Sequence, residues 1–483
     1  MENKFTFKLI NKCKHTNAKV FQYTLSNNVM LPIFMPVATY GAMRSIPVDE
    51  LDDCHSGIIL SNTYHCRNMK KNVKNFMGFK KSLLTDSGGF QIQSLPCTIT
   101  DEGIEFKLES KLIRKEENKV KNEHTNKEEN KNKKIFEQKV FTPEDSMDAQ
   151  FTLGADIIMQ LDDVVNPIEN KQRHAEGVKR SIEWLDRAVL KLREISGISS
   201  DANKKIKKEN LESNFIFNEQ ILFPIIQGGL NLDLREKSIY EIIKRSLKNH
   251  KFIDLVQDKE EFYKQENQII KKEEIFLNGV AIGGMCGGEN KNEFAKVVHF
   301  CTTKLSEFGY EGPIYVMGVG YPDDIVVCSA LGTSMSDCVY PTRMGRTGKY
   351  FWDGEDIEIT RINKVRNLLE KEIKVKSLLE KEIKDENLLF TKVKTLTKCD
   401  CAMCEYSFYY LHIHRDTPNL CNLASKHNLL YMKRLGERIR ESIINNRFEQ
   451  FIKEYFIKKY KRPEEIPKWI LSTFEEYFKI FFR

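Results

Sequence analysis

The chain has 483 residues, 41% of them hydrophobic, which is enough to bury one large core or two moderate ones. A formal net charge of +7 suits a nucleic-acid partner but equally suits any lysine-rich protein, so charge alone selects no function. No apolar run reaches the roughly 18 residues that a membrane-spanning helix needs, and the opening stretch through Val20 lacks the apolar centre of a secretion signal. The expectation is therefore a protein without a membrane span, in the cytoplasm, with association at the mitochondrial surface left open.

In chain order, eight short apolar and β-branched runs each end in polar or glycine-rich residues. They are IFMPVATY from Ile33, GIILSNTY from Gly57, LLTDSGGF from Leu83, DIIMQLDD from Asp156, LFPIIQGG from Leu222, GVAIGG from Gly279, PIYVMGVG from Pro313 and SDCVYPTR from Ser336. Most are followed by helical periodicity, as over 173–195 and 233–247. Strand and helix alternating eight times is the sequence form of a (β/α)8 TIM barrel, an α/β fold whose active site lies at the C-terminal ends of the strands.

Four stretches rich in Lys, Asn and Glu interrupt this pattern, near 107–139, 198–218, 258–274 and 362–398. They carry too little apolar surface to offset the entropy of ordering, so the first three read as solvated insertions between barrel elements. The fourth holds a ten-residue tandem repeat, 365–374 followed by 375–384, whose Leu, Glu and Lys favour helix and which reads as an inert expansion. Of the 12 cysteines, Cys399, Cys401 and Cys404 cluster while the rest are scattered, which argues against a disulfide framework and for a metal site. With His427 they offer three thiolates and an imidazole, a closed set typical of structural zinc, with His412 and His414 as alternative fourth ligands. The organisation expected is a barrel catalytic domain over 1–361, the repeat insertion 362–398, and a zinc-binding helical subdomain over 399–483.

Three predicted strands aim carboxylates at one barrel mouth. Asp86 follows the third run, with Ser87 and the paired glycines Gly88 and Gly89 behind it; Asp162 and Asp163 end the fourth; Asp337 lies in the eighth. A helix cap explains any one of them, but like charges gathered at one mouth repel unless a site uses them.

Taken in order, LLTDSGGFQ, MQLDDVV, IIQGGL, AIGGMCGGE, YVMGVGYPDD and SDCVYPTRMGRTG resemble the tRNA-guanine transglycosylases, and the likeness runs from Leu31 to about Phe451 apart from the insertions. The chain departs mildly, with Ala38 and Tyr40 where relatives carry Gly and Gln, and Ser61 for a usual Gly. The resemblance implies exchange of a base at an N-glycosidic bond by two displacements through a covalent enzyme–tRNA intermediate. It makes Asp337 the nucleophile and Asp86 the general acid/base, roles that two strand-end aspartates alone leave unassigned. Asp162 would accept from guanine N1–H and the N2 amine, Gln227 and the Gly284 N–H would meet O6, and Phe90 and Met317 would sandwich the ring between the walls made by Ser87, Gly88 and Gly89. Gly287 stands where bacterial relatives have valine, which favours queuine over a smaller precursor base.

For tRNA the resemblance points to two segments: Gly318, Val319, Gly320, Tyr321, Pro322, Asp323 and Asp324, then Thr342, Arg343, Met344, Gly345 and Arg346, whose arginines can grip phosphates. The partners implied are tRNA with a GUN anticodon, guanine and queuine, and either a non-catalytic paralogous subunit or a second copy of the chain. Having both Asp86 and Asp337, the chain reads as a catalytic subunit of eukaryotic type; the alternatives are a zinc-stabilised tRNA-binding partner subunit or scaffold. An enzyme acting in the D-arm is disfavoured, because helical sequence alone follows the cysteine region.

Overall fold

The structure is a computed structural model and describes residues 5–52, 54–106, 140–197, 215–217, 219–247, 275–352, 355–358, 392–394 and 399–482. Nearly all of the four Lys/Asn/Glu-rich stretches, the tandem repeat included, lies outside the described residues.

Each of the eight predicted runs contains a strand. The first three strands, β1 (Thr6–Lys12), β2 (Lys19–Thr24) and β3 (Asn28–Leu31), form a separate antiparallel sheet that the sequence pattern did not reveal. There follow β4 (Ile33–Met35), β5 (Val37–Ala38), β6 (Ile58–Ser61) and β7 (Ser82–Thr85), then a small hairpin of β8 (Cys97–Ile99) and β9 (Ile104–Phe106). Next come β10 (Ile157–Met159), β11 (Ile216–Phe217), β12 (Gln220–Phe223), β13 (Ile225–Ile226), β14 (Val280–Ile282), β15 (Ile314–Val316) and β16 (Met335–Asp337). A terminal hairpin pairs β17 (Lys349–Trp352) with β18 (Glu355–Glu358).

Apart from the short antiparallel β11, the two main sheets are parallel, in the orders β12-β10-β7-β6-β5 and β13-β14-β15-β16-β4. Two prolines divide strands between them. Pro36 separates β4 from β5 and Pro224 separates β12 from β13, each lacking the N–H that would continue the ladder. Their carbonyls still accept, from Leu60 N at 2.8 Å and from Ala281 N at 2.9 Å.

Side chains alternate along these strands and feed two cores. Ile33, Met35, Ile58, Leu60, Leu84, Ile157, Met159, Phe223, Ala281, Tyr315 and Met335 pack together on one face. Phe34, Ile59, Leu83, Ile158, Leu222, Ile282 and Val316 face the helices and join a larger core. Both faces are buried, which is why these runs read as continuously apolar. Five helices start at asparagine caps, Asn62, Asn72, Asn170, Asn231 and Asn290, each of whose side chains accepts a backbone N–H of the first turn.

The predicted helix 173–195 is Lys171–Ile195 and the predicted 233–247 is Leu232–Arg245. After the cysteines, helices Pro418–Ile444, Phe448–Tyr460 and Lys468–Phe478 follow. Their Leu429, Ile439, Ile452 and Phe474 belong to the same core as the outward strand residues, so the C-terminal region shares its packing with the parallel sheets.

Candidate active site and metal centre

In a parallel sheet all C-terminal strand ends lie on one edge, and the predicted site residues occupy that edge of each of the two sheets, with Gln227 and Asp162 joined by a hydrogen bond between them. Asp86 follows β7, Asp162 follows β10, Gln227 follows β13, Gly284 follows β14, Met317 follows β15, and Asp337 closes β16. Each carboxylate has its own set of donors. Asp86 Oδ1 accepts the N–H of Thr63 at 2.8 Å and of Gly88 at 3.2 Å, and Oδ2 accepts Asn62 Nδ2 at 2.6 Å. Asp337 Oδ1 accepts the Tyr315 hydroxyl at 2.5 Å and the Gly318 N–H at 2.8 Å.

Burial outweighs these bonds. It pushes Asp86 up to about 7, opposed by its hydrogen bonds and assisted by the negative charge of Asp337. Burial also raises Asp337, against the hydrogen bonds from Tyr315 and Gly318. The charge of Asp337 thus adds to burial in lifting Asp86 toward neutrality, while both carboxylates remain half-buried at the strand ends. Asn62, Thr63 and Tyr315 were not singled out in the sequence. The first two lie in the predicted strand end GIILSNTY, and Tyr315 reads there as an ordinary core residue of β15.

Asp162 is 1% exposed, and burial raises it to about 6. Gln227 Nε2 donates to its Oδ2 at 2.6 Å, while Oδ1, beside the Ser87 hydroxyl, is buried without a well-formed hydrogen bond. A buried carboxylate oxygen held this loosely keeps acceptor capacity to spare. The glycines around it are required by close approach: a Cβ on Gly89 would lie 2.6 Å from Asp162 Oδ1, and one on Gly284 would lie 2.4 Å from Gln227 Oε1. Gly88 is buried and takes φ +81, the left-handed conformation natural to glycine. Phe90 is 66% exposed, which rules out core packing for it, whereas Met317 is half-buried against the inner core.

At Gly287 the space left by the missing side chain is filled. A Cβ there would meet Pro167 Cδ at 2.5 Å, so bulk at this position acts by displacing the loop carrying Asn166 and Pro167.

The residues expected to meet tRNA divide sharply. Gly318, Tyr321 and Arg343 are exposed. Arg346 is half-buried, and its Nη1 has no partner among the described residues. Val319, Gly320, Pro322, Thr342 and Gly345 are buried, and Met344 packs on the core. Asp323 accepts from Tyr455, Lys459 and Tyr460, while Asp324 is paired with Lys291. Three of the twelve are therefore exposed, Arg346 is half-buried with its Nη1 enclosed, and the other eight are buried or packed on the core.

The ligand atoms of Cys399, Cys401, Cys404 and His427 all lie within 4.8 Å of one another, so this cluster could hold one metal ion. His427 Nδ1 is 3.1 Å from Cys401 Sγ, and its Nε2 lies 2.7 Å from the Phe351 carbonyl. That carbonyl can only accept, which fixes the proton on Nε2 and leaves Nδ1 as the ligand atom. His412 and His414, the alternative fourth ligands, are outside the cluster; the His414 ring lies tilted against Tyr410 instead.

Carboxylates raised by burial at the ends of parallel strands, with a cysteine–histidine cluster that could hold one metal ion outside them, describe a mixed α/β protein with a polar strand-end site. The chain belongs to the queuine tRNA-ribosyltransferase family, whose model matches residues 13–462. A Caenorhabditis elegans protein named queuine tRNA-ribosyltransferase catalytic subunit is 32% identical to it, over 92% of this chain and 91% of its own length. A protein of the same name from Schizosaccharomyces pombe is 30% identical over 93% and 91%. A Buchnera aphidicola protein named queuine tRNA-ribosyltransferase is 31% identical over 94% and 99%.

Proposed function

We propose that this chain is a tRNA-guanine transglycosylase that replaces guanine at the anticodon wobble position of GUN tRNAs with queuine. The observation that carries the reading is the pairing of Asp86, raised to about 7, with Asp337, beside the buried, loosely bonded Asp162. Asp337, steadied by Tyr315 and Gly318, would bond ribose C1′ as the C1′–N9 bond to guanine breaks. Asp86 would give a proton to the departing base. It would then take one from N9 of the entering base as that nitrogen displaces Asp337 from C1′, giving net retention. Asp162 and Gln227 would read the Watson–Crick edge of the base, with Phe90 and Met317 on its faces and Ser87, Gly88 and Gly89 as a wall. Gly287, by leaving Pro167 in place, would set the room for the arm of queuine. Gly318, Tyr321, Arg343 and Arg346 would hold the flanking backbone, the arginines on phosphate.

We read the two parallel sheets as halves of one closed (β/α)8 barrel. Support comes from strands that continue across Pro36 and Pro224, from β16 pairing with β4, and from an inner core walled off from the helices. Residues 399–483 would be a helical addition held by one structural zinc on Cys399, Cys401, Cys404 and His427, whose four donors leave no open position for substrate. No helix among the described residues is long and apolar enough to cross a membrane, and we infer a cytoplasmic location. Because two relatives are named catalytic subunits, we infer assembly with a second, non-catalytic subunit, with a homodimer as the alternative. Incubation with labelled guanine and tRNA should incorporate label without ATP; no incorporation in the presence of intact tRNA would refute the reading and leave a tRNA-binding scaffold.

A further inference from the structure

Arg235, in the first turn of helix Leu232–Arg245, is completely buried, and no carboxylate among the described residues is in ion-pair contact with it, the charge of Glu289 acting only from a distance. Burying a guanidinium without an anion is costly, so its contacts should say what it is for. Its donors go to backbone carbonyls: Nε to Gly229 at 2.9 Å, and Nη1 to Ile226 at 2.7 Å and to Gly283 at 2.8 Å. Nη2 rests 3.1 Å from Met285 Sδ. These carbonyls belong to the two strand-end turns that carry Gln227 and Gly284, and the turns are also tied directly by Gly283 N to Ile226 O at 3.1 Å.

The Gly283 contact has a specific consequence. The Gly283 carbonyl and the Gly284 N–H are the two ends of one planar trans peptide, so they point in opposite directions. A cation on the carbonyl turns the N–H away from Arg235 and, by drawing electron density, makes it a stronger donor. Gly284 is a buried residue, and its N–H has no partner among the described residues, a state that buried backbone donors rarely keep without a ligand.

We propose that Arg235 is a positioning residue for base recognition, clamping the 283–284 peptide so that the Gly284 N–H reads the O6 carbonyl of a purine. The proposal rests on the base-exchange reading above. It differs from a purely structural role in one respect: it concerns the O6 contact and no other part of the base.

Inhibition constants of guanine and of 6-thioguanine, whose sulfur is a poor acceptor, should be measured in the exchange reaction for wild type, Arg235→Met and Arg235→Lys. In Arg235→Met the constant for guanine should rise by about tenfold while that for 6-thioguanine changes by less than about twofold. Arg235→Lys, which keeps the charge and one donor, should fall between, and KM for tRNA should be unchanged in both variants. Equal weakening of the two bases, or no weakening of either, overturns the proposal. Failure of both variants to fold also overturns it, because Arg235 would then hold the fold and not the reading peptide. A wild-type protein that incorporates no labelled base would instead overturn the exchange reading itself, a result separable from failure at Arg235.

Discussion

Asp86 and Asp337 share an edge but are held by different partners, and this gives them different tests. Asp337→Asn should lower exchange by on the order of 10^4-fold and abolish the denaturant-stable tRNA adduct while tRNA still binds. An intact adduct in that variant would remove the nucleophile assignment. For Asp86 the sign follows from its shift. Its folded value of about 7 lies above the ordinary 3.8, so between these pH values the folded chain holds a proton that the unfolded chain has released. That contribution to stability is full below about pH 4 and is lost as pH rises through about 7. Relative to wild type, Asp86→Asn should therefore gain stability progressively across that window in denaturant titrations; a pH-independent difference would contradict the shift. At Gly287, valine must push back Pro167, so Gly287→Val should depress queuine incorporation about tenfold more than guanine exchange, measured by competing the two bases.

At the scale of elements, the segments after β15 and β16 do two jobs at once. Asp323 lies in a segment expected to touch tRNA, yet it receives Tyr455, Lys459 and Tyr460 from helix Phe448–Tyr460. Asp323→Asn should cost about 1–3 kcal/mol in chemical denaturation and leave tRNA affinity of the folded protein unchanged. A loss of affinity without loss of stability would return Asp323 to the RNA surface. Asn428 similarly links helix Pro418–Ile444 to helix Tyr340–Arg346 and strand β17, accepting from Phe351 N and donating to Pro341 O and Lys349 O. The strands themselves were legible because burial on both faces makes them apolar runs, and the asparagine caps marked several helix starts. The β1–β3 sheet was not, since the exposed side chains of β1 give it no buried stripe to recognise.

For the whole molecule, the cysteine–histidine cluster joins the C-terminal helices to the hairpin strand β17 through His427 and the Phe351 carbonyl. Cys401→Ser should take zinc content from one per chain toward none and lower Tm by roughly 5–10 °C, with activity falling only as folding fails. Full zinc occupancy and stability in this variant would dismiss the site; loss of the chemical step in a folded, metal-free protein would make the metal catalytic.

The sequence by itself determined the apolar runs that contain the parallel strands, the aspartates at their ends, the metal-ligand residue types and the family, because these depend on local periodicity and on residues close together in the chain. It could not decide which histidine completes the cysteine set, since His412, His414 and His427 all lie within reach along the chain and only folding brings one Nδ1 to the thiolates. Nor could it separate the exposed Arg343 from the buried Asp323 and Asp324, or find the partners of Asp86 and Asp337, or reveal Arg235 beneath the 283–284 peptide. Those features are contacts between distant segments, and side-chain direction, burial and shared hydrogen bonds exist only once the strands have been packed side by side.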